Sequence, residues 1–107
     1  MTSNIFNKVS SLSSPVGTMG QKLLASGQNI SMRLWENEKP EASREYSIRE
    51  YETVGYVISG KAELNIDEQK ITLETGDSWV VPKGAKHFYA ILENFTAVEA
   101  TYPPAEK

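Results

Sequence analysis

The 107-residue chain has no cysteine and one histidine, His87. Without thiols there is no disulfide framework, thiolate zinc site, iron–sulfur cluster or cysteine nucleophile. One histidine also leaves no catalytic triad unless a nucleophile and a carboxylate are positioned around it. Long apolar runs are missing as well. The longest, Phe88 to Leu92, has five residues, whereas a membrane-spanning helix needs roughly 20. Cationic clusters are absent, and 11 basic against 14 acidic residues leave a net charge of −3, so nucleic acid is not an expected partner. Gly17-Thr18-Met19-Gly20 is too short to serve as a phosphate-cradling loop. Met1 to Leu24 lacks the apolar core and small-residue cleavage site of a secretory signal. The expected location is the cytoplasm, with no membrane partner.

What is present suits a folded domain. Hydrophobic residues make up 39% and charged residues 23% of the chain, which argues against disorder, collagen and coiled coil. The length accommodates one core. Residues 1–30 contain Lys8 and Lys22 and no acidic residue, while the remainder holds all fourteen acidic ones. With Ser10, Ser11, Ser13, Ser14 and Pro15 in the first part, residues 1–24 are read as an N-terminal arm, partly ordered or packed on a partner subunit through Ile5, Phe6 and Val9. Residues 25–107 form the domain.

The dominant period from Ile30 onward is two. Ile30, Met32 and Leu34 alternate with Ser31, Arg33 and Trp35, as in a strand with one buried face. Ala62, Leu64 and Ile66, followed by Asp67-Glu68 and then Ile71 and Leu73, predict a two-stranded hairpin. Turn signals recur at Gly60, Asp67, Gly76, Pro82 to Gly84 and Glu93-Asn94, the rhythm of an antiparallel sandwich or barrel. Pro40 to Tyr51 reads as an extended, charged connection, with a short helix started by Pro40 as the alternative.

The stretch from Gly76 to His87 (Gly-Asp-Ser-Trp-Val-Val-Pro-Lys-Gly-Ala-Lys-His) fits the pattern G(x)5PxG(x)2H. It resembles the second motif of the cupin superfamily, with Pro82 and Gly84 making a tight turn before His87. Tyr56 to Leu64 resembles the strand and glycine turn that close the first cupin motif, and Thr101-Tyr102-Pro103-Pro104 resembles the exit after the last core strand. The resemblance spans roughly residues 25–104. It implies an all-β fold, the double-stranded β-helix or jelly-roll barrel of two antiparallel sheets of RmlC-like proteins, with a pocket at one end. It implies no single function, since cupins include isomerases, epimerases, oxygenases, decarboxylases, sugar sensors and storage proteins.

Metal-binding cupins take two histidines spaced HxH and a glutamate from the first motif, and a third histidine from the second. Counting back from Gly60, Thr53 stands at the glutamate position and Arg49 and Ser47 at the two histidine positions. Shifting by one residue brings in Glu52, but with Ile48 and Tyr46 at the histidine positions. The motif is therefore degenerate, and no metal and no cofactor is expected. A rescue would need inward carboxylates such as Glu52 or Glu99 to join His87, against the repulsion of Arg49.

Three roles remain open for His87: a metal ligand, a hydrogen-bonding or acid–base group in a metal-free pocket, or a core histidine satisfied by backbone. Alternation turns Ser47, Arg49, Tyr51, Thr53, Gly55 and Val57 to one face and His87, Tyr89 and Ile91 toward it. The candidate ligand-binding residues are thus His87, Arg49, Thr53, Tyr51, Tyr89 and Ser47. Arg49 is either the clamp for a carboxylate or phosphate or a member of a solvated run paired with Glu45, Glu50 or Glu52. Trp35 and Trp79 are read as core or interface fillers. The expected function is binding of a small anionic or sugar-like molecule without the usual metal. The alternatives are a cupin-type enzyme, either an isomerase or epimerase with His87 as base or an oxygenase with unusual ligands, and a structural barrel filled by side chains. Pairing as a homodimer is expected from the resemblance and from the hazard of open strand edges.

Overall fold

A computed structural model describes residues 8–41 and 45–105. Six strands run in the order β1 (Lys22–Ser26), β2 (Ser31–Glu38), β3 (Glu52–Ile66), β4 (Gln69–Glu74), β5 (Ser78–Val81) and β6 (His87–Tyr102). All pairings are antiparallel, with strand order β1-β2-β6-β3-β4 and β5 on β3. The described residues contain no helix, so none is long and apolar enough to cross a membrane. This is the expected all-β jelly-roll architecture.

The two long strands, β3 and β6, make the roll. They pair along nearly their whole length, and the register shifts repeatedly between Val57 and Ala62. At that bend Gly60 takes a φ of +92°, and a Cβ there would stand 1.8 Å from the Asn94 carbonyl oxygen. Only glycine permits both the angle and the approach. On one side of the bend Thr53–Tyr56 lies between β6 and β5, and on the other Lys61–Ile66 lies between β6 and β4. The core joins both halves: Val57, Trp79, Val81, Phe95 and Ala97 pack in one cluster with Ala62, Leu64 and Leu73.

The expected hairpin is present. Asp67 and Glu68 both have positive φ, 52° and 61°, as a two-residue type I′ connection requires, and Leu64 faces Ile71 across it. The turn at Pro82 to Gly84 closes with Ala85 N donating to the Pro82 carbonyl oxygen (3.1 Å), and β6 starts at His87.

Before β1, residues 15–23 fold back on themselves, with Leu23 N donating to the Pro15 carbonyl oxygen (2.8 Å). Ile5 and Phe6 lie outside the described residues, and Val9 is 38% exposed. The connection from Pro40 to Tyr51 is extended where it is described: Glu41 bridges to Ile91 and Ser47 to His87.

The burial of β2 departs in part from the sequence reading. Ser31 and Arg33 are buried and Met32 is exposed, as is Ile30 just before the strand, whereas Leu34 is buried as expected. The reason lies on the neighbouring strand, where Ser31 faces Thr101 and Arg33 faces Glu99. The Ser31 and Thr101 hydroxyls lie 3.1 Å apart, and Arg33 and Glu99 form an ion pair. Buried polar groups satisfied in this way tolerate the interior.

Candidate functional site

Seventeen residues line one cavity of about 270 Å³. His87, Arg49, Thr53, Tyr51, Tyr89 and Ser47 are all among them. The strand period accounts for the convergence: Thr53 enters from β3, His87 and Tyr89 from β6, and Ser47, Arg49 and Tyr51 from the extended connection at alternate positions. That connection is fastened to the barrel by Ser47 N donating to the His87 carbonyl oxygen (2.7 Å), His87 N donating to that of Ser47 (3.0 Å) and Gly84 N donating to that of Arg49 (2.9 Å).

His87 is buried, and its Nδ1 lies 2.9 Å from the Ala85 carbonyl oxygen. A carbonyl only accepts, so Nδ1 carries a proton, and in the neutral tautomer of imidazole the lone pair is then on Nε2. The ring also meets Tyr89 edge-on, with centroids 5.6 Å apart. The Tyr89 hydroxyl accepts from Trp79 Nε1–H at 3.0 Å. Burial, with the Glu99 charge adding to it, pushes the Tyr89 phenol well above its ordinary range, so Tyr89 stays a protonated donor at all ordinary pH. Trp79 thus belongs to the core cluster and to the cavity wall together.

Beneath these groups lies a charged network that the sequence did not reveal. Arg33 Nε–H donates to Glu99 Oε1 at 2.7 Å, and Trp35 Nε1–H donates to the same oxygen at 2.9 Å. The guanidinium stands over the Trp35 and Tyr51 rings, 5.2 and 5.5 Å from their centroids. Burial opposes its charge, but Glu99 and Tyr51 outweigh burial and hold the Arg33 pKa above its usual value. Arg33, Trp35 and Glu99 all line the cavity. Glu99 is inward as the sequence reading had it, sharing the strand parity of buried Phe95 and Ala97, but its partners were not read. No signal existed for Arg33, because alternation alone does not say which face is inside.

Arg49 differs from Arg33. It is half-buried, and among the described residues no carboxylate engages its guanidinium. Glu45, Glu50 and Glu52, the partners of the alternative reading, form no ion pair with it. Glu52 is exposed and has the parity of outward-facing Val54 and Tyr56.

The rim is acidic, with Glu38, Glu41 and Glu45 in the lining. Burial, then the charge of Glu41, raises the Glu38 pKa above its usual value. A carboxyl raised on folding favours the folded state below its unfolded pKa, and that contribution is lost as pH rises through the folded value. Glu38→Gln is therefore expected to raise the melting temperature slightly at pH 7, with the gain vanishing below about pH 4, where the unfolded-state carboxyl is protonated. Thermal unfolding at several pH values checks this, and a variant no more stable than the parent at pH 7 refutes it.

The donor set does not fit a metal ion. Thr53, Arg49 and Ser47 occupy the motif positions beside His87, and Glu99 is committed to Arg33 and Trp35. Among the described residues no three His, Cys, Asp or Glu side chains converge on one point.

Comparison with known proteins agrees with this architecture. An uncharacterized protein of Aquifex aeolicus (strain VF5) is 34% identical over 56 residues, 52% of this chain. The match spans 46% of that protein, less than half its length. Among solved structures, an RmlC-like cupin from Shewanella frigidimarina NCIMB 400 superposes with a TM-score of 0.81 at 18% identity, covering 94% of each chain. KdgF from Halomonas sp. gives a TM-score of 0.69 at 22% identity over 78% of each chain. At these identities the structures show a shared fold and no shared activity. The family model for the cupin domain matches residues 34–99, more than half of the sequence, and the chain belongs to the cupin family.

Proposed function

We propose that this cupin domain, residues 25–107, binds a small monoanionic, hydroxyl-rich molecule such as a sugar acid, without a metal. The observation that carries the reading is the Arg49 guanidinium, half-buried in the cavity lining and without a carboxylate partner among the described residues, two positions from the Ser47–His87 bridge. A planar fork of donors suits a carboxylate. His87 Nε2 accepts from a ligand hydroxyl, and the Tyr89 O–H donates. The rim carboxylates Glu38, Glu41 and Glu45 also accept from hydroxyls, and they repel a polyanion. That balance favours one negative charge over a phosphate ester or polyphosphate.

Calorimetric titration with a hexuronate, its methyl ester and the corresponding neutral hexose tests the reading. Binding of the hexuronate at least tenfold tighter than either neutral compound is expected. Equal binding of all three, or of none, refutes it.

The same geometry supports a second reading as an isomerase or epimerase. Nε2 of His87 would remove a proton from the carbon next to a ligand carbonyl to give an enolate, whose oxygen the Tyr89 O–H, keeping its proton, would hold by a hydrogen bond. The imidazolium would then return its proton to that carbon or, once the neighbouring hydroxyl proton has moved to the enolate oxygen, to the former carbonyl carbon, which regenerates the neutral His87. Exchange of that carbon-bound hydrogen for deuterium in heavy water, abolished in His87→Ala, is its signature.

A further inference from the structure

The turn Gly17-Thr18-Met19-Gly20, too short to cradle a phosphate, forms the tip of a small hairpin ahead of β1. Val16 bridges to Lys22, and Gly17 N donates to the Gln21 carbonyl oxygen at 2.7 Å. The turn is fixed from within. Gly20 N donates to the Gly17 carbonyl oxygen at 3.1 Å, and the buried Gln21 folds its Oε1 back to accept from Met19 N at 3.0 Å. Gly20 takes a φ of +87°, and a Cβ on Gly17 would meet the Gln21 amide nitrogen at 2.5 Å, so the shape depends on both glycines. Of the described residues before β1, Met19 alone reaches the cavity lining. It is 51% exposed. A pliant segment would fold an apolar side chain away from water, whereas this locked turn holds the thioether out at the edge of a cavity. Apolar surface presented in that way suits cover by a ligand.

Register places Met19 far from Arg49. Strand β1 runs antiparallel to β2, with Lys22 facing Leu34 and its ammonium on Glu36 at 2.7 Å, so the turn before Lys22 lies toward the Glu38 end of β2. There Glu38 faces Phe95, and Glu41 bridges to Ile91. Arg49 follows Ser47, which bridges to His87, eight residues along β6 from Phe95. The two ends also differ in chemistry. Arg49 draws a carboxylate. Glu38 and Glu41 repel one, while Met19, Ile91 and Phe95 offer apolar surface beside them.

We propose that Met19 forms a subsite for an apolar aglycone, so that the ligand is a hexuronide, a sugar acid whose glycosidic oxygen carries an apolar group, and not the free acid. The inference rests on the binding reading given above. The carboxylate at Arg49 fixes the sugar, the rim carboxylates forbid the reversed orientation, and the substituent on the anomeric carbon diverges from the carboxylate toward Met19. An unbranched, polarizable thioether packs against aromatic and aliphatic groups alike.

Calorimetric titration of the full chain with phenyl hexuronide, hexuronate, phenyl hexoside and hexose tests the proposal in the parent, Met19→Ala, Met19→Leu and Met32→Ala. In the parent each phenyl glycoside is expected to bind at least tenfold tighter than its unsubstituted sugar. Met19→Ala, with circular dichroism unchanged, is expected to cut that advantage at least fivefold in both pairs, and Met19→Leu to keep it. Met32→Ala, on a methionine also exposed but outside the cavity lining, is expected to leave all four affinities unchanged. The neutral pair carries no carboxylate, so it separates this proposal from the anionic reading. A phenyl preference that depends on Met19, without preference for hexuronate over hexose, upholds the subsite and refutes the role of Arg49. A parent that binds phenyl and unsubstituted sugars alike overturns the subsite, as does a phenyl preference that survives Met19→Ala. Binding of none of the four overturns both.

Discussion

Glu99→Gln is expected to destabilise the fold by about 3 kcal/mol, the scale seen when one member of a buried ion pair is removed. For a domain of this size that corresponds to a fall in melting temperature of roughly 12 to 20 °C. The substitution is nearly isosteric and opens no cavity, so the loss is electrostatic. Arg33 and Glu99 are 8% and 4% exposed in their side chains and 2.7 Å apart. Without the carboxylate, the guanidinium stays buried between Trp35 and Tyr51 with its compensating charge gone, and the indole of Trp35 loses its anionic acceptor. Removing both partners has a different consequence. Arg33→Met with Glu99→Leu leaves no uncompensated charge, and replacement of a buried pair by apolar residues is often neutral or stabilising. The double variant is expected within about 1 kcal/mol of the parent or above it. Urea unfolding of the parent, the two single variants and the double variant completes the cycle. Single variants within about 1 kcal/mol of the parent would show that water reaches the pair and that the network contributes little.

The contrast between this network and the rest of the site explains what was legible in the sequence. The barrel was legible because its signals are local: Asp67-Glu68 between alternating strands, and Pro82 and Gly84 ahead of His87, specify turns through backbone angles that few residues adopt. The six candidate ligand-binding residues reached one cavity because counting along alternating positions from Gly60 and His87 needs no long-range information. The polarity of β2 was not legible. Alternation separates Ile30, Met32 and Leu34 from Ser31, Arg33 and Trp35, and hydrophobicity then assigns the first set to the core. Here part of the interior of the roll is a cavity lined by charged as well as apolar side chains, and Arg33 is placed inside by Glu99, 66 positions away in the chain. Ile30 and Met32 are left outside, and of the apolar set only Leu34 is buried. A residue's side of a sheet is thus decided by its cross-strand partner, which a single sequence does not display.

Arg49→Gln is expected to weaken hexuronate binding about 10- to 100-fold, the loss of one charge-assisted, two-pronged contact worth roughly 1.5 to 3 kcal/mol. Stability should change little. The guanidinium is only half-buried and engages no carboxylate among the described residues, so its removal strands no buried charge. Arg49→Lys separates charge from shape, because a lysine keeps the positive charge but presents no planar fork. It should recover only part of the affinity. His87→Ala acts on the other end of the ligand. Its Nε2 lone pair accepts from a hydroxyl, so the variant should lose affinity for hexuronate and for any weakly bound neutral hexose by the same factor, whereas Arg49→Gln removes only the preference between them. The two residues therefore predict different patterns across the same three compounds. If Arg49→Gln weakens the neutral hexose and the hexuronate alike, Arg49 shapes the cavity and does not read the carboxylate. If it affects neither, the ligand's anionic group binds elsewhere, and Arg33, already held by Glu99, is too committed to replace it.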